Sequence, residues 1–161
     1  MKKAAIAQQG TTITAYKGLD KNLRCRDFQF EVGKTYEHPG EVKRCPTADD
    51  LQRGAGGFHS CENPLDTFGY YEPGISRYAI VEASGSIDRE ENGDTKIASA
   101  RIHLKAEISM PDFVAAAIKW ITSKCDPVKA KHSTGDRSAS SATGDRSAAS
   151  ATGYQSASSA T

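Results

Sequence analysis

The sequence predicts an α+β domain: a mainly antiparallel sheet with one long C-terminal helix and a short helix after Asn63, followed by a small-residue repeat tail. Three observations lead there. Short runs of β-forming residues alternate in polarity between Thr12 and Ile108. One capped amphipathic stripe starts at Ser109, and large side chains nearly vanish beyond Cys125. The boundaries read as residues 1–125 for the domain, 126–132 for a linker and 133–161 for the tail.

In chain order, TITAY (Thr12–Tyr16) and FQFEV (Phe28–Val32) are rich in β-formers and alternate as half-buried strands do. RYAIVEASG (Arg77–Gly85) reads as a further strand that ends at its glycine. Arg89–Asp94 is a turn, with Asn92-Gly93 suited to a tight hairpin. From Ile97 to Ile108, Ala98, Ala100, Ile102, Leu104, Ala106 and Ile108 share one parity, while Arg101, His103, Lys105 and Glu107 share the other. That is a long strand with one dry and one wet face. The helix follows: Ser109 caps, Pro111 and Asp112 fit the first turn, and Phe113, Val114, Ala117, Ile118 and Ile121 form a stripe for the dry face of the sheet.

The tail repeats. Gly135, Gly144 and Gly153 recur every nine residues, in a unit close to Ala-Thr-Gly-Asp-Arg-Ser-Ala-Ala-Ser. Two readings stay open. A Ser/Ala/Gly segment buries too little apolar area to offset chain entropy and can be disordered. A strict period also lets units stack as a β-roll or solenoid, with small residues in a thin interior and glycine at the corners.

Composition excludes some classes. Lys plus Arg is 21 against 20 for Asp plus Glu, so no strong basic field for nucleic acid exists. No run approaches the roughly 20 apolar residues of a membrane span. The opening MKKAAIAQQG has an apolar run of only Ala4–Ala7, short of a secretory core of roughly 7–15 residues. The expected setting is therefore cytoplasmic, with Cys25, Cys45, Cys61 and Cys125 as reduced thiols.

Chemistry concentrates in Gly56–Tyr71, GGFHSCENPLDTFGYY. Gly54, Gly56 and Gly57 follow TADD without phosphate-loop spacing and read as a flexible turn. His59 and Cys61 share a strand face, but side chains two apart stand about 6–7 Å from each other, too far for a thiol–imidazole bond. Cys25, Cys45, His59 and Cys61 would make a ligand set zinc accepts, yet no C-x2-C knuckle is present. Buried structural cysteines are the simpler reading. Asn63 caps a short helix with Pro64 first and Asp66 in its first turn, carrying Leu65, Phe68 and Tyr71 inward until Glu72-Pro73-Gly74.

The stretches YKGLDKNLRCRDFQFEVGKTYEHPGEV, GGFHSCENPLDTFGYYEPGISRYAIVEASGSIDRE and SATGDRSAAS resemble a family of uncharacterised phage and prophage proteins, in which a domain of unknown function precedes an Ala/Ser/Thr/Gly repeat array. That resemblance implies a mobile-element origin and a host-cell setting. More remotely, Tyr16-Lys17-Gly18, Gly33-Lys34-Thr35-Tyr36 and Gly57-Phe58-His59 ahead of Tyr70 and Tyr71 are similar to ADP-ribosyltransferase-like domains. This second resemblance implies Lys17 at the NAD-touching first-strand position and His59 and Ser60 at the nicotinamide corner. It implies Tyr70 or Tyr71 as the stacking ring and Glu82 or Glu107 as the activating glutamate. The chain lacks the Ser-Thr-Ser corner and a Glu-x-Glu or Gln-x-Glu pair near the domain's end.

The expected function is a phage-type binding or interaction protein with a repeat stalk, no cofactor, an unidentified protein partner and oligomerisation through the tail. The alternative is an NAD- or nucleotide-handling domain. Its catalytic candidates are Lys17, His59, Tyr70 and Glu82, and its ligand-binding candidates are Tyr16, Lys17, His59 and Tyr71.

Overall fold

The computed structural model describes residues 12–90 and 93–124 and, in the tail, four strands at 131–134, 139–142, 149–152 and 157–160. The opening MKKAAIAQQG, Asn92, Cys125 and the tail glycines lie outside the described residues. The chain divides into two compact units, Met1–Ala117 and Ile118–Thr161.

The elements in order are β1 (Ile13–Leu19), β2 (Arg24–Cys25), β3 (Phe28–Gln29), β4 (Thr35–Glu37), α1 (Ala48–Gln52), β5 (Phe58–Cys61), a 3-10 helix (Pro64–Gly69), β6 (Arg77–Arg89), β7 (Lys96–Ile108) and α2 (Met110–Lys124). The sheet order is β4–β7–β5–β1–β6, with β6 also paired to β7. Strands β7, β5, β1 and β6 therefore close into a ring, and every pairing in it is antiparallel. The class is α+β, mainly antiparallel, as the alternation predicts.

The ring has one weak seam. β1 and β6 share seven register pairs, from Ile13↔Ala83 to Leu19↔Arg77. β1 and β5 share a single pair, Tyr16↔Cys61. Beyond it the two backbones are not laddered, and the seam lies beside Lys17.

Antiparallel partners share a face, so the ring has two apolar sides. On one, Ala15, Leu19, Ala79, Val81, Ile102 and Leu104 pack with Phe30, and Tyr36 and Phe58 join from its margin. On the other, Phe113 of α2 meets Tyr16, Phe68 and Tyr78 at ring-centroid distances of 5.6, 5.3 and 4.6 Å. The dry and wet alternation of β7 holds from Arg101 onward; Ile97, Ala98 and Ser99 are all buried, because both faces are covered where β5 and β6 flank the strand.

Several elements differ from expectation. FQFEV does not enter the main sheet: only Phe28–Gln29 is a strand, paired with Arg24–Cys25 in a hairpin turning at Arg26-Asp27. Its β-forming composition suits burial of Phe30 as much as pairing, and Gly33 at φ +82° turns the chain away. β6 does not stop at Gly85. It continues to Arg89 through a register shift between Ser84 and Ile87, where Gly85 at φ +79° supplies a bulge.

The TADD loop contains α1. Thr47 Oγ1 accepts from Asp50 N, the Asp50 carboxylate accepts from Thr47 N, and Lys43 and Arg53 pair with the same carboxylate at 2.6 and 3.1 Å. These bonds, the Lys43 one foremost, hold Asp50 well below the usual carboxylate range. A five-residue helix has no room for an apolar stripe, so its periodicity is invisible in the sequence.

The helix after Asn63 is a 3-10 turn. Asn63 Oδ1 accepts from Leu65 N as expected, but Leu65 is 37% exposed instead of inward. Three residues per turn rotate it off the face held by Pro64 and Thr67. In α2, Ser109 Oγ accepts from Asp112 N. Within the first unit, Phe113 and Ala117 of the predicted stripe are buried, whereas Val114 remains 41% exposed.

In the second unit, β8 (Lys131–Thr134) pairs in parallel with β10 (Ala149–Thr152), and β9 (Ala139–Ala142) with β11 (Ala157–Ala160). Both registers join residues eighteen apart, Lys131↔Ala149 and Ala139↔Ala157. Among the described residues no helix is long and apolar enough to cross a membrane.

Candidate functional site

The seam between β1 and β5 opens on a cleft of about 1020 Å³. Tyr16, Lys17, His59, Ser60, Tyr70 and Tyr71 all line it, so the residues that the sequence scatters over three elements do meet in one place. Strand β1 delivers Tyr16 and Lys17, β5 delivers His59 and Ser60, and the two tyrosines follow the 3-10 helix.

Lys17 is the unusual member. It is 4% exposed, its Nζ donates to the His59 carbonyl at 2.8 Å, and the Phe30 ring centroid lies 4.9 Å away. The amine reaches across the seam from β1 to a backbone carbonyl of β5. It forms no ion pair among the described residues. Burial pulls its ammonium below the ordinary lysine range, and neighbouring Cys25 draws it part of the way back.

His59 is committed to structure. Its ring Nε2–H donates to the Arg44 carbonyl at 2.9 Å, and burial shifts the ring toward the neutral form. Ser60, also 4% exposed, has a buried hydroxyl oxygen with no hydrogen-bond partner. A buried polar atom left so costs on the order of 1–3 kcal/mol unless something meets it. His38 Nε2 is a second such atom on the cleft wall.

Tyr70 and Tyr71 have different surroundings. The Tyr70 hydroxyl donates to Asp94 Oδ2, which pushes its pKa up to about 12, and Lys96 Nζ sits 4.8 Å from its ring centroid. Tyr71 lies over Gly18, where a side chain on β1 would occupy its place.

The two glutamates implied by the transferase resemblance do not join them. Glu82 pairs with Lys105 at 3.0 Å, Glu107 accepts from Arg77 Nε at 2.6 Å, and neither lines the cleft. Its carboxylates are Asp27 and Glu37, the latter near Arg101 at 3.6 Å.

Cys25, Cys45 and Cys61 are free thiols that line the cleft. Among the described residues, however, no three His, Cys, Asp or Glu side chains gather closely enough to hold a metal ion. The set Cys25, Cys45, His59 and Cys61 is therefore not assembled as ligands. Cys61 is buried, which pushes its thiol up to about 11 and removes it as a nucleophile at neutral pH. Cys45 is exposed, 3.8 Å from Lys96 Nζ. Native protein treated with iodoacetamide at pH 8 is expected to alkylate at Cys45 and to spare Cys61 until urea unfolds it. Peptide mass spectrometry reads the difference, and prompt labelling of Cys61 would contradict its burial.

Arg26 escaped the sequence reading. It sits at the tip of the β2–β3 hairpin with φ 54°, lines the cleft and is exposed, with no ion pair among the described residues. The only available signal was an Arg-Asp pair between two β-forming runs.

Residues 13–116 match the family described as Domain of unknown function (DUF7666). The chain belongs to that family. The DUF7666 match spans β1 to the first half of α2 and so takes in the whole strand ring and every cleft residue named above. No curated protein and no solved structure matches the chain.

Proposed function

We propose that the DUF7666 domain is a binding module that takes a small anionic molecule with a planar ring into the cleft at the β1–β5 seam. One observation carries this reading: two basic residues, Lys17 and Arg26, line the cleft without carboxylate partners among the described residues. The other two basic residues of the wall are engaged, Arg44 with Asp94 at 3.1 Å and Lys96 over Tyr70. A buried amine is stabilised in its charged form only by an opposite charge or strong hydrogen bonds, so an entering anion would be held where water is largely excluded. The rings of Phe28, Phe58, Tyr70 and Tyr71 offer an apolar wall for the remainder of the ligand.

Thermal-shift titration of the full chain with adenosine 5′-monophosphate tests this. A rising melting temperature is expected, reduced in Arg26→Ala and in Lys17→Met. Bound ligand at 100 times its Kd contributes about 2.7 kcal/mol. No shift at millimolar concentration would remove the reading.

A dinucleotide reading is favoured by one further observation, the shared cleft of Lys17, His59, Ser60, Tyr70 and Tyr71. With Glu82 and Glu107 tied to Lys105 and Arg77, such a domain would bind NAD without transferring ADP-ribose. The same titration with NAD, with hydrolysis monitored alongside, separates binding from transfer.

For residues 131–160 the proposed role is a stalk that presents the domain to a macromolecular partner in the phage or prophage setting implied by the resemblance. Pairing eighteen residues apart equals two nine-residue units, as expected of a two-sided β-solenoid coil. Light scattering and circular dichroism of the full chain distinguish an ordered stalk from a flexible chain.

A further inference from the structure

We propose that Lys17 is a carbonyl-reactive amine, and that the cleft captures a small aldehyde or ketone bearing an anionic group as an imine on its Nζ. The inference rests on the reading that a small anion enters the cleft, and it names the reactive group of that ligand.

The geometry argues for it in three steps. First, Lys17 lines the cleft, and its Nζ donates to the His59 carbonyl at 2.8 Å, lies above the Phe30 ring and has the Cys25 thiol as a hydrogen-bonding neighbour, with no carboxylate against it. A neutral amine in that position donates one N–H and keeps its lone pair for another partner. No carboxylate is paired with it among the described residues, and burial, the largest influence on the amine, disfavours the charged form against the smaller opposing pull of the Cys25 and Cys61 thiols. Second, the residue after His59 is Ser60, whose buried hydroxyl has no partner and lines the same cleft. It is placed to donate to a carbonyl oxygen. Third, Arg26 stands at the rim on a hairpin tip whose left-handed backbone is unusual for arginine, with its guanidinium left for an anion.

The step balances without an outside reagent. The Nζ lone pair attacks the carbonyl carbon, the C=O π pair moves to oxygen, and one N–H proton is transferred to that oxygen to give a carbinolamine. The nitrogen lone pair then forms the C=N bond as the hydroxyl leaves with a proton as water. No oxidation occurs.

Pyridoxal 5′-phosphate is a suitable probe, since it carries an aldehyde and a phosphate on one ring. The full chain is incubated with it near neutral pH, reduced with borohydride to fix any imine, digested and mapped by mass spectrometry. Lys17 is expected to be modified severalfold ahead of exposed lysines such as Lys21 and Lys105. Inorganic phosphate is expected to slow the reaction, as is Arg26→Ala, and pyridoxal without its phosphate is expected to react more slowly. Lys17→Arg is expected to lose the early adduct while a surface control, Lys105→Arg, keeps it. Modification spread evenly over surface lysines, or sparing Lys17, overturns the inference. If the probe raises the melting temperature but leaves Lys17 unmodified, the imine fails and the binding reading stands. If it neither binds nor reacts at Lys17, both fall.

Discussion

Phe113→Ala is expected to lower the unfolding free energy by about 3–5 kcal/mol, the usual cost of emptying a buried phenyl site. Phe113 is 0% exposed and is the only large side chain that α2 buries among the described residues. Its ring touches those of Tyr16 on β1, Phe68 on the 3-10 helix and Tyr78 on β6, so one truncation opens a void against three elements. Close aromatic pairs add about 0.5–1.5 kcal/mol each beyond the area they bury. Val114, its neighbour in sequence, is 41% exposed, and Val114→Ala is expected to change stability by no more than about 0.5 kcal/mol. Urea unfolding followed by far-ultraviolet circular dichroism compares the two. Equal effects would show that the helix is not anchored through this ring.

The second large effect is expected at Gly18→Ala. A Cβ there would lie within 2.5 Å of Cβ, Cγ and Cδ2 of Tyr71. These are the root of the tyrosine side chain, so rotating the ring does not relieve the clash. Neither backbone yields easily. β1 is held to β6 by seven register pairs, and the Tyr71 carbonyl accepts from the Tyr78 hydroxyl at 2.7 Å. Overpacking of this kind costs typically about 1–3 kcal/mol. Because Tyr71 also lines the cleft beside Lys17, the variant is expected to lose most of the ligand-induced thermal shift as well. A variant that folds with wild-type stability and an unchanged shift would mean that Tyr71 is free to move aside, contrary to the packing.

Much of the frame was legible because it depends on local periodicity. The alternation of Arg101 to Ile108 placed the wet and dry faces of β7, the Ser109 cap and Phe113 stripe placed α2, and Asn63-Pro64 marked a helical start. Errors came where local signals serve two masters. Phe28 and Phe30 are β-formers, but Phe30 is used as a core plug instead of a ladder residue. Gly85 reads as a stop and is a bulge. For the site, the sequence suggested that Lys17, His59 and Tyr70 belong together. It could not reveal that Glu82 and Glu107 are drawn off by Lys105 and Arg77, or that Arg26 turns toward the cleft.

By itself, the sequence determined the α+β class, the capped helix at Ser109 and membership of a family whose activity its description leaves blank. These follow from patterns within a few residues of each other, or from likeness along the chain. Only the tertiary structure decided that β7, β5, β1 and β6 close into a ring joined between β1 and β5 by a single register pair. Ring closure is a long-range event, set by which faces can be buried together rather than by any local run. It is at that incomplete seam that Lys17 lies buried among a carbonyl, a phenyl ring and thiols, so the surroundings of this one amine belong to the fold and not to its neighbours in sequence.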